Sequence, residues 1–329
     1  MKKLLTFFGV LGLLPKNAFA HVRYIATESE QAFYGHTDYA AFFSPLQETQ
    51  YIIMIIATIV GVVFLYWFLT RNKIFHNWAE HMAQVGESYR PFIPWITRLS
   101  LGIIFIGAGT GGFFISPVLA TPVAWLSVLQ LVLGFFLMAG FLVEFSAVIA
   151  FMMFLYALAQ DPYLIGSFDI LALIISLFIL DSRRPGVDDI VGIPDILHIK
   201  KWRKYLPTVL RMGIGIGMAY LAIVEKIMTP HLAALVAENT ELVNLIPVSA
   251  MMWTFSAGII ELVVGIMLIL GWHTRLAAVA AIVILSMSFF YFGEDVTSHV
   301  TLFGTLSAVF ILGVGQWGVH KPHPLHRWD

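Results

Sequence analysis

Apolar runs of about 20 residues, separated by short polar breaks, recur from Tyr51 to Trp317, and each can cross about 30 Å of hydrocarbon as a helix. A helix satisfies its own backbone hydrogen bonds, which lipid cannot do for it. The pattern predicts spans at Tyr51–Leu69, Leu99–Ser116, Val123–Val143, Ser146–Ala159, Phe168–Leu180, Met212–Thr229, Met251–Leu270, Leu276–Phe292 and Val300–Trp317. The fourth and fifth are short. The expected fold class is an all-α, polytopic membrane helical bundle of about nine transmembrane helices.

Composition sharpens this picture by exclusion. Of 329 residues, 59% are hydrophobic and 12% charged, too apolar for a soluble core to absorb. The lipid bilayer is the expected partner. The net charge is -1 and the basic residues are scattered through short loops, so no broad basic face exists for nucleic acid. The absence of cysteine excludes disulfides, thiol catalysis, cysteine-ligated iron–sulfur clusters and covalently attached c-type haem. A redox role would need a cofactor held without cysteine, or a protein partner.

The amino terminus carries the pattern of a cleavable signal peptide over residues 1–20. Lys2 and Lys3 form a positive region, Leu4 to Leu14 an apolar stretch too short to span, and Ala18-Phe19-Ala20 a small-x-small cleavage site. Cutting there would make His21 the first residue, with an α-amino group and an imidazole nitrogen both open to copper. His36, in the polar segment 21–50, is a candidate second ligand.

Charge then orients the chain. With the mature amino end in the periplasm of a bacterial-type inner membrane, Arg71, Lys73, Arg90, Arg98, Arg183, Arg184, Lys200, Lys201, Arg203, Lys204, Arg211, Arg275, Lys321 and Arg327 fall in cytoplasmic segments. Only Arg23 falls outside, the asymmetry of the positive-inside rule. Lys226 alone among the basic residues lies within a span.

After the first span (residues 51–70) and a cytoplasmic loop (71–97), two four-helix units are expected over 98–181 and 211–318, joined by a linker (182–210) and followed by a tail (319–329). Gln130-Leu-Val-Leu-Gly134 aligns with Glu261-Leu-Val-Val-Gly265. Gly140 then falls on Gly271 and Glu144 on Arg275, and Arg98 stands as far from Pro117 as Arg211 from Pro230. Duplication accounts for this economically, giving parallel repeats.

The second unit resembles the DoxX family of four-helix membrane proteins. The resemblance rests on Arg211 opening a helix with Gly213, Gly215 and Gly217, then Lys226, then Glu261-Leu-Val-Val-Gly265 running into Gly271-Trp-His-Thr-Arg275-Leu-Ala-Ala278. The family includes the small-subunit type of thiosulfate:quinone oxidoreductase, which implies a link to the quinone pool and a partner protein.

Candidate chemistry concentrates in this second unit. A charged side chain at the centre of a span costs at least about 2.5 kcal/mol on insertion scales, so it is usually paired or faces a polar cavity. Glu225, Lys226 and Glu261 are such residues, while Gly112, Phe113 and Gln130 hold the matching positions in the first unit. Glu294, Asp295, His299 and His231 are expected at the periplasmic mouth. Adjacent residues on a helix point about 100° apart, so at most one of Glu225 and Lys226 can face Glu261. The functional reading is a periplasm-facing pocket in which Lys226 and a carboxylate, Glu225 or Glu261, hold a quinone head-group or an anion and His299 relays protons. Two other readings stay open: a copper-binding or copper-transport protein using His21 and His36, and a scaffold locked by a buried Lys226–Glu261 pair.

Overall fold

The computed structural model describes residues 48–180, 185–194, 200–239, 248–292 and 296–319. The signal segment, His21, His36, Glu294, Asp295 and the tail from residue 320 lie outside the described residues. Six described helices are long and apolar enough to cross a membrane: Thr49–Leu69, Lys73–Gly111, Val143–Gln160, Pro162–Ile179, Lys201–Met228 and Ala250–Leu270. Three shorter apolar helices, Ala124–Ala139, Thr274–Phe290 and His299–Leu312, complete the order expected from the pattern. The chain is a multi-pass, all-α membrane bundle.

In finer detail the elements are α1 (Thr49–Arg71), α2 (Lys73–Tyr89), α3 (Ile93–Gly111), α4 (Ala124–Ala139), α5 (Val143–Gln160), α6 (Phe168–Ile179), the short α7 (Val187–Val191), α8 (Leu206–Leu221), α9 (Pro230–Asn239), α10 (Ala250–Leu270), α11 (Thr274–Phe292) and α12 (Val296–Leu312). The loop expected over 71–97 is largely helical, because Asn72 caps α2 by accepting the Ile74 amide at 2.9 Å. This amphipathic helix lies against the end of α12, where a Cβ on Gly86 would stand 2.7 Å from the Ile311 carbonyl.

Small residues set the helix contacts. A Cβ on Gly102 would come within 2.9 Å of the Gly134 carbonyl, and one on Gly215 equally close to the Gly265 carbonyl, so α3 packs on α4, and α8 on α10, nearly backbone to backbone. Arginines close the ends of these pairs. Arg211 donates from Nε to the Val314 carbonyl at 2.9 Å and from Nη1 to the Leu268 carbonyl at 2.8 Å, while Arg98 donates to the Pro185 carbonyl. Both guanidiniums are buried beside glycines of φ +67°, Gly140 and Gly271, and two residues later Leu142 and His273 both adopt positive φ.

Between the two halves of the chain, α6 packs on α8 and α12 packs on α3. α6 meets α8 where a Cβ on Gly213 would stand 2.4 Å from that of Ala172, and α12 meets α3 where Gly304 lies over the Ser100 hydroxyl. These two contacts form the seam between the halves.

The span expected to reach Ser116 ends earlier. α3 stops at Gly111, Gly112 turns the chain at φ +74°, and Phe113–Phe114 pairs with Ser116–Ala120 as a small antiparallel hairpin. Non-helical backbone at membrane depth needs partners from protein. Gln130 supplies them, its Oε1 accepting from the Ile115 amide at 2.7 Å and its Nε2 donating to the Phe113 carbonyl at 2.8 Å.

Candidate functional site

Beyond Leu221, α8 does not continue as an α-helix: Ala222–Met228 forms a π-helical turn, in which each amide reaches back five residues instead of four. The sequence gives no periodic signal for it. A widened turn frees carbonyls at its end, and the Thr229 hydroxyl takes them up, donating toward the Val224 oxygen at 2.7 Å and the Glu225 oxygen at 3.2 Å.

This turn presents its two charged residues to different neighbours. The Lys226 ammonium donates to Glu261 Oε1 on α10, an ion pair whose side chains are each 20% exposed. Glu225, only 5% exposed, instead accepts a hydrogen bond from the Tyr163 hydroxyl. The expectation that only one of the two faces Glu261 agrees with this geometry, and the one is Lys226. Gly258, one turn before Glu261, makes the approach feasible: a Cβ there would stand 2.9 Å from that of Lys226. Further along the same face, Phe255 meets the Tyr51 ring of α1 edge-on at 6.1 Å, and Ile227, Tyr51 and Phe255 form a small apolar cluster beside the ion pair.

Tyr163 was not singled out by the sequence. It sits in a short 3-10 segment, Pro162–Ser167, between α5 and α6 in the first half, with its amide held by the Asp161 carboxylate at 2.9 Å. Gly217 lets that segment lie against α8, since a Cβ there would come within 2.6 Å of the Gly166 carbonyl. Tyr163 thus enters through tertiary packing alone. The site draws on both halves of the chain.

In the first half Gln130 on α4 bonds without charge to the backbone of Phe113. His299 is 2% exposed on α12, its ring edge-on to Phe289 at 5.4 Å and tilted on Phe303 at 5.9 Å. These ring contacts of His299 are with residues of α11 and α12, away in sequence from the turn that carries Lys226. Among the described residues no group of three or more His, Asp and Glu could hold a metal ion.

Chemically, the arrangement offers one ammonium, two carboxyls and a phenol within a turn and its two neighbours. The ammonium can donate to a carbonyl oxygen or an anion, and the phenol–carboxyl pair can give or take a proton. The model of the DoxX family matches residues 206–294, from the start of α8 through α11, and so includes Glu225, Lys226 and Glu261. No curated protein and no solved structure matches the chain.

Proposed function

Taking residues 206–294 as a DoxX-like membrane domain, we propose that this chain serves quinone-linked redox metabolism, holding a quinone head-group at Lys226 and acting with a protein partner that exchanges the electrons. The observation that carries the reading is the pair of contacts on one π turn, Lys226 to Glu261 and Glu225 to Tyr163. Reducing a quinone to a quinol takes two electrons and two protons. The Lys226 ammonium would hydrogen bond to a quinone carbonyl oxygen, Glu225 with Tyr163 would pass one proton to the reduced quinone, and water would supply the second. The electrons would come from the partner. A quinone tail fits a site reached from lipid, and π-helical turns recur at functional sites.

The same proposal places the site toward the periplasmic face of an inner membrane, with the amino end outside, as the distribution of basic residues suggests. It also treats the two halves as copies of one unit. The shared glycine contacts, buried arginines and positive-φ residues support that reading.

The test is photo-crosslinking of an azido-quinone to the purified chain in lipid, with crosslinked peptides mapped. Labelling concentrated on Ala222–Met228 and α10 in the native chain, and lost in Lys226→Ala, is the expected result. Labelling that is spread evenly over the lipid-facing helices, or is unchanged in Lys226→Ala, would favour the second reading. In that reading Lys226 and Glu261 form a structural lock, as their direct contact and partial burial also allow.

A further inference from the structure

The seam between the two halves holds a carboxyl that the Lys226 site does not use. Asp169, the second residue of α6, is 2% exposed, and its Oδ2 has no hydrogen-bond partner among the described residues. The Thr301 hydroxyl of α12, also 2% exposed, hydrogen bonds to the same carboxyl. In the register that lays Phe178-Ile179-Leu180 on Phe310-Ile311-Leu312, Asp169 falls on Thr301, so these two meet as counterparts across the seam.

The surroundings are hydroxyls and the backbone amides of Asp169 and Ile170, which also hydrogen bond to the carboxyl. Ser176 lies two turns along the same face of α6 from Asp169, with its Oγ 3.5 Å from Thr97 Oγ1. Thr305, one turn beyond Thr301, is fully buried with its hydroxyl unpartnered among the described residues. Several titratable groups on the elements packed against α6 have other partners, among them Tyr156, whose ring meets that of Phe114 edge-on at 5.8 Å. Tyr163 donates to Glu225, the Tyr220 ring packs on that of Tyr163, and His299 lies between Phe289 and Phe303. Arg98 and Arg211 are bonded to carbonyls of Pro185, Val314 and Leu268.

An ionised carboxyl in such a place is costly. The amides at the amino end of α6 and the Thr301 hydroxyl return only part of that cost. A cation or a proton must supply the rest, and a proton on the bare Oδ2 needs no further ligand. We propose that Asp169 is a proton-binding site in the membrane interior, separate from the Lys226 site and occupied at neutral pH.

Infrared spectroscopy of the full chain in lipid nanodiscs tests this. The expected result is a protonated-carboxyl C=O band at neutral pH that is missing from Asp169→Asn and retained in Glu225→Gln. A spectrum unchanged by Asp169→Asn overturns the proposal. Should that variant fail to fold, the native chain answers by itself through dicyclohexylcarbodiimide, a lipid-soluble reagent for protonated carboxyls. Modification mapped to the α6 peptide at neutral pH, indifferent to sodium and lithium, upholds it. An unmodified α6 peptide overturns it, and so does protection by either ion, which would make the ligand an alkali cation.

Discussion

The Lys226–Glu261 contact makes a quantitative prediction that does not depend on what the site binds. Lys226→Met leaves Glu261 without its cation, 20% exposed and inside the bundle. Measured losses for breaking buried pairs run to about 3–5 kcal/mol, and the partial exposure here trims them, so the expected loss is about 2–4 kcal/mol. Glu261→Gln strands the ammonium instead and is expected to cost a similar amount.

Each single variant should be destabilised, because each leaves one partly buried charge without its partner. The double variant, with neither charge, should lie within about 1 kcal/mol of the native chain. The assay is thermal unfolding of the three variants in lipid nanodiscs. Two single variants that each stay within about 0.5 kcal/mol of native would refute a buried pair and mean that water already screens both groups.

Three further outcomes are expected. Gly140→Ala and Gly271→Ala should each lose about 1–3 kcal/mol by thermal unfolding, because φ is +67° and the new Cβ would meet Arg98 or Arg211. Gly192→Ala, at φ +75° in open space, should lose only the backbone part and so serves as the control. Since the chain has no cysteine, Ser249→Cys should react with an impermeant maleimide on intact cells and Gly192→Cys only after lysis; the reverse pattern would invert the proposed orientation. Intact mass and elemental analysis of the protein purified from membranes should show whether it begins at His21 and carries about one copper per chain, lost in His21→Ala; a metal-free protein would sink the amino-terminal copper site.

How much of the site was legible follows from how each residue announces itself. Lys226 and Glu261 stand out because charge is rare inside apolar runs, and their pairing could be expected from placement on adjacent spans. The divergence of Glu225 from Lys226 was also legible, since neighbours on any helix point apart. The π turn that carries them was not. Apolar residues on all sides leave no periodicity from which a change of helical pitch could be read.

Sequence by itself determined the bilayer as solvent, the helical class and the order of the apolar segments, because those depend only on run length and composition. It also singled out Arg98, Arg211, Gly140 and Gly271. Only the tertiary structure decided that α3 ends in a hairpin held by Gln130, that Tyr163 from the first half reaches Glu225 in the second, and that Asp169 meets Thr301 at the seam. Each of those contacts joins residues distant in sequence, or turns on one side-chain hydrogen bond. Apolar pattern records which residues avoid water. It does not record which polar groups find each other once water is gone.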